Sequence, residues 1–221
     1  MEQTILRLLA LLPALVVHEF AHGYSAYKLG DPTPKMDGRL TLNPLAHLDP
    51  FGTLMILFGP IGWAKPVRVN PHNFRDPARG LVISTACGPL SNIIQGTIWA
   101  LVLRLVIATS NTDALVGNML VGFLAMAAFI NFVLAVFNLI PLGPLDGHEV
   151  LPYFLPYEQK VAYHRFNQQY GMFVLMGLVL LDFVDNVPIL TTVVVRPAHW
   201  LGSTVAGAPL LLVIRLALGY R

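Results

Sequence analysis

Residues 4–27 form an apolar run that nevertheless holds His18, Glu19 and His22 within five residues, inside the stretch "VVHEFAHGYSAYKLGD" at 16–31. As a helix rising 1.5 Å per residue, such a run is about 36 Å long, more than the roughly 30 Å hydrocarbon core of a bilayer. An ionisable group at that depth costs several kcal/mol unless it is paired or metal-bound, so three within five residues imply a task. The fold is thereby restricted to helices, because irregular backbone is tolerated at depth only around a buried or wet cavity.

The rest of the chain agrees with a membrane setting. Of its 221 residues 55% are hydrophobic and 12% charged, about half the charge of an ordinary soluble domain. Further apolar runs cover 81–108, 114–140, 171–184 and 200–218. The first two are long enough to span alone, whereas 171–184 needs flanking residues such as Phe166 or Tyr170. The stretch 51–64 is broken by Gly52, Gly59, Pro60 and Gly62; as a helix it would reach only about 21 Å, too little to cross. The expectation is an all-α polytopic membrane protein of about five transmembrane helices, with a short re-entrant β-hairpin or loop near 51–69. One membrane-embedded domain takes in 1–221, with a core at 4–152 and C-terminal helices at 168–219. The first run has the length of a signal peptide but continues through the histidines to Tyr27 without a small-residue cleavage site, so it is read as a mature segment. A net charge of +2 with no block of like charges excludes nucleic acid as partner. The single cysteine, Cys87, excludes an intrachain disulfide and a thiolate metal cage.

Orientation follows from the basic residues. Lys28, Lys35, Arg39, Lys65, Arg68, Arg75 and Arg79 all fall in 28–79, none falls in 109–113, and 141–168 holds Lys160 and Arg165. The positive-inside rule puts 28–79 in the cytoplasm and the N-terminus outside.

On a helix His18 and His22 stand one turn apart on one face. The pattern H-E-x-x-H supplies two zinc ligands and, in Glu19, a general base. A catalytic zinc needs three protein ligands and an open position. The strongest third candidate is Asp146 in "FNLIPLGPLDGHEV", 137–150, where Asn138, Pro141, Gly143 and Pro144 break a helix; taken alone, Asp146 reads equally as the turn residue of "LDG". Topology separates the two readings. His18 lies about 15 Å from the cytoplasmic end of its helix. If 51–64 does not cross, only 81–108 separates two inward-running helices, and Asp146 emerges on the side of the histidines. Were 51–64 a span, Asp146 would lie across the bilayer.

"HEFAH" in a first membrane helix with "NLIPLGPLDG" in a later one resembles the site-2 protease family of intramembrane zinc metalloproteases, above all its compact prokaryotic branch without a PDZ domain. "GRLTLNPLAHLDPFGTL", "GWAKPVRVNPHNFRDPARG" and "GPLSN" extend the resemblance over most of 14–152. It implies one zinc per chain held by His18, His22 and Asp146, with Glu19 as base. It also implies membrane-protein substrates cleaved within or near a transmembrane helix, in a prokaryotic cell membrane with the active site toward the cytoplasm.

A substrate helix must unwind before its amide bonds can be attacked. Asn138 and Asn92 are candidates to hold the unwound backbone, the first with support from the resemblance. A helix-breaking or interhelical bond competes for Asn138, and polar side chains commonly join membrane helices, which weighs more for Asn92. In "LFGPIGWAKPVRV", Gly62 and Trp63 lie where a re-entrant strand edge could pair with substrate; an interfacial loop anchored by Trp63 and Lys65 is the competing reading. Two other functions remain in view: a catalytically inactive homologue acting as a membrane adaptor, and a membrane metal transporter. A transporter calls for polar residues along several helices, whereas this chain concentrates them at one depth, and a non-enzyme has no need of Glu19.

Overall fold

The structure, a computed structural model, describes residues 2–50, 52, 64–109, 118–184 and 188–218. Helices α1 (Glu2–Lys28), α2 (Pro77–Thr109) and α3 (Met119–Asn138) are long and apolar enough to cross a membrane. Helix α4 (Tyr157–Phe166) continues through a π-helical turn, Asn167–Gly171, into α5 (Met172–Val184). Helices α6 (Arg196–Ala206) and α7 (Leu210–Leu218) meet at 82° and make a fourth span only if the bent pair is counted as one.

Length and composition thus give three to four spans among the described residues, where the sequence led us to expect about five. The 200–218 run breaks because Gly207 takes a φ of 69° and Pro209 offers no amide donor to continue the helix. The 171–184 run falls short because α5 has only 13 residues. Residues 51 and 53–63, where the re-entrant hairpin was expected, lie outside the described residues. Among those described, the one β-type pairing is an isolated antiparallel bridge between Leu48 and Ala64.

Helix α3 is the central element: 56% of its apolar window is buried, against 28% for α1 and 22% for α2. Its buried Ala125, Ala127, Ala128 and Ala135 let neighbouring backbones approach closely, as small residues do between membrane helices. Leu103, Leu124, Phe132 and Leu210 fill the space between. The outer face of α2 carries Ile94, Ile98, Leu101 and Leu105, all exposed and one helical turn apart. An apolar stripe of that length facing outward suits lipid.

A polar layer closes the end of the bundle where α1 stops. Asp31, fully buried, accepts hydrogen bonds from Thr33 N (3.1 Å), Thr33 Oγ1 (2.6 Å), Asn70 N (2.7 Å) and Asn73 Nδ2 (2.7 Å). One carboxylate therefore ties the end of α1 to the extended segment 64–70 and the turn before α2. Arg68 adds a two-pronged bond to Asp37, Nε to Oδ2 at 2.9 Å and Nη2 to Oδ1 at 2.7 Å, and Arg39 donates to the Ala46 carbonyl. At the far side of the chain Asp182 accepts from Leu190 N and Thr191 Oγ1 at 3.0 and 3.1 Å, capping the helical segment that leads into α6.

Burial alone would raise the Asp31 carboxyl, but the donors of Thr33, Asn73 and Asn70 outweigh it and hold the group below its ordinary value. A depressed folded-state value contributes stability above the unfolded value of about 3.9 and loses it as pH falls through the folded one. Asp31→Asn is expected to destabilise the protein by about 1–3 kcal/mol at pH 7, through stranded buried donors. In thermal unfolding against pH the gap between parent and variant should close below about pH 4; equal stability at pH 7 would contradict the clasp.

Candidate metal centre and active site

Helix α1 carries His18 and His22 on one face, with ring centroids 4.6 Å apart and the rings nearly perpendicular. Helix α2 runs against this face, and Gly88 is the residue opposite the rings. A Cβ at Gly88 would overlap the His22 ring and stand 2.8 Å from His18 Cε1. Only a residue without a side chain leaves room for both imidazoles between the two helices.

Asp146 comes from the break after α3. The chain turns through 139–146 and enters a single helical turn, Gly147–Val150. A Cβ at Gly147 would run into the Leu139 and Ile140 carbonyls, so glycine after Asp146 allows the turn to fold back on the end of α3. The C-terminal helices brace this loop: Gly143 N donates to Asn167 Oδ1 at 2.7 Å, and Tyr163 Oη donates to the Pro141 carbonyl at 2.8 Å.

The three side chains converge. His18 Nε2 lies 3.2 Å from Asp146 Oδ2, His22 Nε2 lies 3.3 Å from Asp146 Oδ1, and the two Nε2 atoms are 3.0 Å apart. Their far ring nitrogens meet acceptors: His18 Nδ1 donates to Asn92 Oδ1 at 2.6 Å and His22 Nδ1 to the Ser84 carbonyl at 2.9 Å. With the proton on each Nδ1, both Nε2 atoms present bare lone pairs to each other and to a carboxylate. Asp146 Oδ2 is correspondingly buried without a hydrogen-bond donor. Lone pairs crowded in this way need a cation among them. Ligands about 2.0–2.1 Å from a tetrahedral zinc stand about 3.3 Å from one another, close to the separations found here. The donor set fits zinc.

Glu19 sits beside His18 on α1, half-buried, and its Oε2 accepts the Val67 N–H at 3.2 Å. Val67 belongs to the extended segment 64–70, which passes over Gly23 of α1. Glu19 is not among the clustered metal-ligating atoms.

Of the four candidate substrate contacts, Asn92 is fully buried, and its amide is spent on His18, on the Ala14 carbonyl (3.1 Å) and on Asn131 Oδ1 (2.9 Å). It orients a ring rather than facing a substrate surface. Asn138 is half-buried at the end of α3, with Nδ2 on the Leu134 carbonyl of its own helix at 3.0 Å. Gly62 and Trp63 lie outside the described residues. Asn131, Gly88 and the Ser84 carbonyl had no place in the sequence reading. A lone asparagine within "AAFINFV" is a signal that could have found the first, since a polar side chain in so apolar a helix needs a partner.

Gly88→Ala is expected to push the two imidazoles apart and weaken zinc binding by at least about 10-fold, with little change in helix content. Chelator competition alongside circular dichroism checks it; parent-like affinity would mean the rings have room to spare.

A model of the family described as Peptidase family M50 matches residues 54–181, a stretch that includes Asn92 and Asp146 and begins after the histidines. The chain is 43% identical over 157 residues to "Putative zinc metalloprotease YwhC" of Bacillus subtilis (strain 168), covering 67% of this chain and 72% of that protein. It is 28% identical over 176 residues to "Putative zinc metalloprotease Rip2" of Mycolicibacterium smegmatis, covering 76% and 64%. To the protein of the same name in Mycobacterium tuberculosis it is 32% identical over 156 residues, covering 67% and 57%. No solved structure matches significantly. With zinc as the metal these names share and a donor set that fits it, the chain belongs to the site-2 protease family of zinc metalloproteases, peptidase family M50.

Proposed function

We propose that this protein is an intramembrane protease that hydrolyses peptide bonds within or near transmembrane segments of membrane-protein substrates, as in regulated intramembrane proteolysis. The observation that carries the reading is the convergence of His18, His22 and Asp146 on one point between apolar helices, with Glu19 beside them. In this reading the three side chains hold one zinc per chain. Bound there, zinc lowers the pKa of its water to about 7 and polarises the scissile carbonyl.

The chain's own groups do the rest. Val67 N–H engages Glu19 Oε2, which leaves Oε1 to take the proton of the attacking water. Glu19 then delivers that proton to the amide nitrogen as the C–N bond breaks, and the new amine leaves neutral. Asn92 and the Ser84 carbonyl keep the two imidazoles oriented throughout. Asn138, where α3 ends, and the Gly62–Trp63 stretch remain the candidates to hold unwound substrate. The antiparallel bridge between Leu48 and Ala64, just after that stretch, supports a strand edge at this part of the chain.

A metal transporter would need ligands at several depths. Among the described residues the His18–His22–Asp146 group is the only cluster of three or more such side chains, which favours a fixed metal. An inactive adaptor would have no use for Glu19. For the membrane arrangement, α1 and α3 run inward with α2 between them, and 28–79 and 141–168 face the cytoplasm. The remaining crossings come from 171–184 with its flanks and from the bent pair α6–α7.

Glu19→Gln is expected to lower cleavage of a reporter membrane helix by roughly 10²–10⁴-fold while zinc stays bound. Asp146→Ala should instead lose the zinc, because two imidazoles fall short of the three ligands of a catalytic site. A fully active Glu19→Gln protein would sink the assignment of the base, and tight zinc in Asp146→Ala would mean another residue completes the site. Topology is tested by cysteine labelling after Cys87 is replaced. Lys35→Cys and Arg75→Cys should react from the cytoplasmic side and Asn111→Cys from outside. Labelling of 35 and 75 from opposite faces would make 51–64 a span and undo this arrangement.

A further inference from the structure

We infer that Asn92 and Asn131 are positioning residues that together set which nitrogen of His18 carries its proton, and hence which one faces the metal. The inference rests on reading His18 as a metal ligand. An asparagine amide has two ends of nearly equal shape and opposite chemistry, so whatever fixes its direction fixes what its neighbour must do.

The direction starts at a backbone carbonyl of α3. Asn131 Nδ2 donates to the Ala127 carbonyl at 2.9 Å, a group that can only accept. Asn131 Oδ1 therefore faces α2, where it accepts from Asn92 Nδ2 at 2.9 Å. The other proton of that nitrogen goes to the Ala14 carbonyl of α1 at 3.1 Å, again an acceptor without alternative. With both its protons committed, Asn92 can present only Oδ1 to His18 Nδ1, 2.6 Å away. The ring must carry its proton on Nδ1 and leave Nε2 bare. Exposure falls from 5% at His18 to 0% at Asn92 and 1% at Asn131, so no water substitutes for a missing partner.

The path crosses all three long helices, yet Asn131 is bonded to none of the metal-facing side chains. If Asn131 is removed, one Asn92 proton is stranded and only the Ala14 carbonyl opposes a flipped amide. A flipped Asn92 would offer N–H to His18 Nδ1 and move the ring proton to Nε2, where it blocks the metal. Polar side chains also join membrane helices for packing alone, so the test separates positioning from packing.

Zinc affinity is measured by chelator competition on the purified full chain in detergent, for the parent, Asn92→Leu, Asn131→Leu, Asn131→Asp and Phe132→Ala. Partners that orient a metal-binding histidine are worth about 10–100-fold in affinity. Asn92→Leu should fall in that range and Asn131→Leu near its lower end. Asn131→Asp should stay near the parent, because a neutral carboxyl can donate to the Ala127 carbonyl and still accept from Asn92. Phe132→Ala removes a buried ring beside Asn131; it should lower the melting temperature and leave zinc affinity unchanged. In the zinc-loaded protein, 15N-histidine spectra should show the His18 proton held on Nδ1 in the parent, Asn131→Asp and Phe132→Ala, and a weakened or exchanging Nδ1 proton in the two leucine variants. Should Asn92→Leu fail to fold, Asn131→Leu and the spectra decide. Parent-like zinc binding in Asn131→Leu, or an equal loss in Phe132→Ala, would overturn the inference. If His18→Ala binds zinc as tightly as the parent, the ligand reading fails instead, and the His18 tautomer in the spectra still tests the amide path on its own.

Discussion

A polar atom carried into the space between α1, α2 and α3 can be satisfied only by another protein group or by a cation, because packed side chains and lipid offer neither. The architecture of the site follows from that condition. Each imidazole turns its Nδ1 toward an acceptor supplied by α2, one a side chain and one a backbone carbonyl. The nitrogens left over face a carboxylate whose Oδ2 itself lacks a donor. Close approach is the second requirement, and Gly88 meets it by leaving empty the place where a methyl group would stand. Neither half works alone: without the gap the rings cannot lie between the helices, and without the acceptors they would have no fixed direction.

The C-terminal helices have a part in this as well. Asn167 lies in the π-helical turn between α4 and α5, and it accepts the Gly143 amide inside the loop that delivers Asp146. Tyr163 holds the Pro141 carbonyl two residues earlier. Pro141 and Pro144 leave this loop two backbone donors short, so part of its shape is borrowed from a neighbouring helix.

What could be read in the sequence and what could not divides along a physical line. His18, Glu19 and His22 were legible because a helix converts a spacing of four residues into one face, and because charge at membrane depth is costly. Asp146 was legible through counting crossings and through the resemblance carried by "NLIPLGPLDG", since in isolation it looks like any turn residue. Asn131 escaped because its partner lies 39 residues away on another helix, and Ser84 because its contribution is a carbonyl that every residue possesses. The long helices α1 to α3 follow from apolar length alone. The bend within the 200–218 run could not be read because Gly207 and Pro209 interrupt neither its hydrophobicity nor its length. Asp182 caps the helical segment that begins after it, a role set by tertiary folding that no local pattern announces.

The bond from Val67 to Glu19 gives the His18–His22–Asp146 cluster and Glu19, the proposed base, separate anchorages. The rings are held from within the bundle by α2, whereas Glu19 leans on the non-helical strip 64–70. That strip is moored at the bundle's end by Asp31 and by the exposed pair Arg68 and Asp37. Slackening the mooring therefore frees the base and leaves the ligands where they are. Under the proposed roles, loading and turnover would have different handles, and the handle for turnover is the one that solvent can reach.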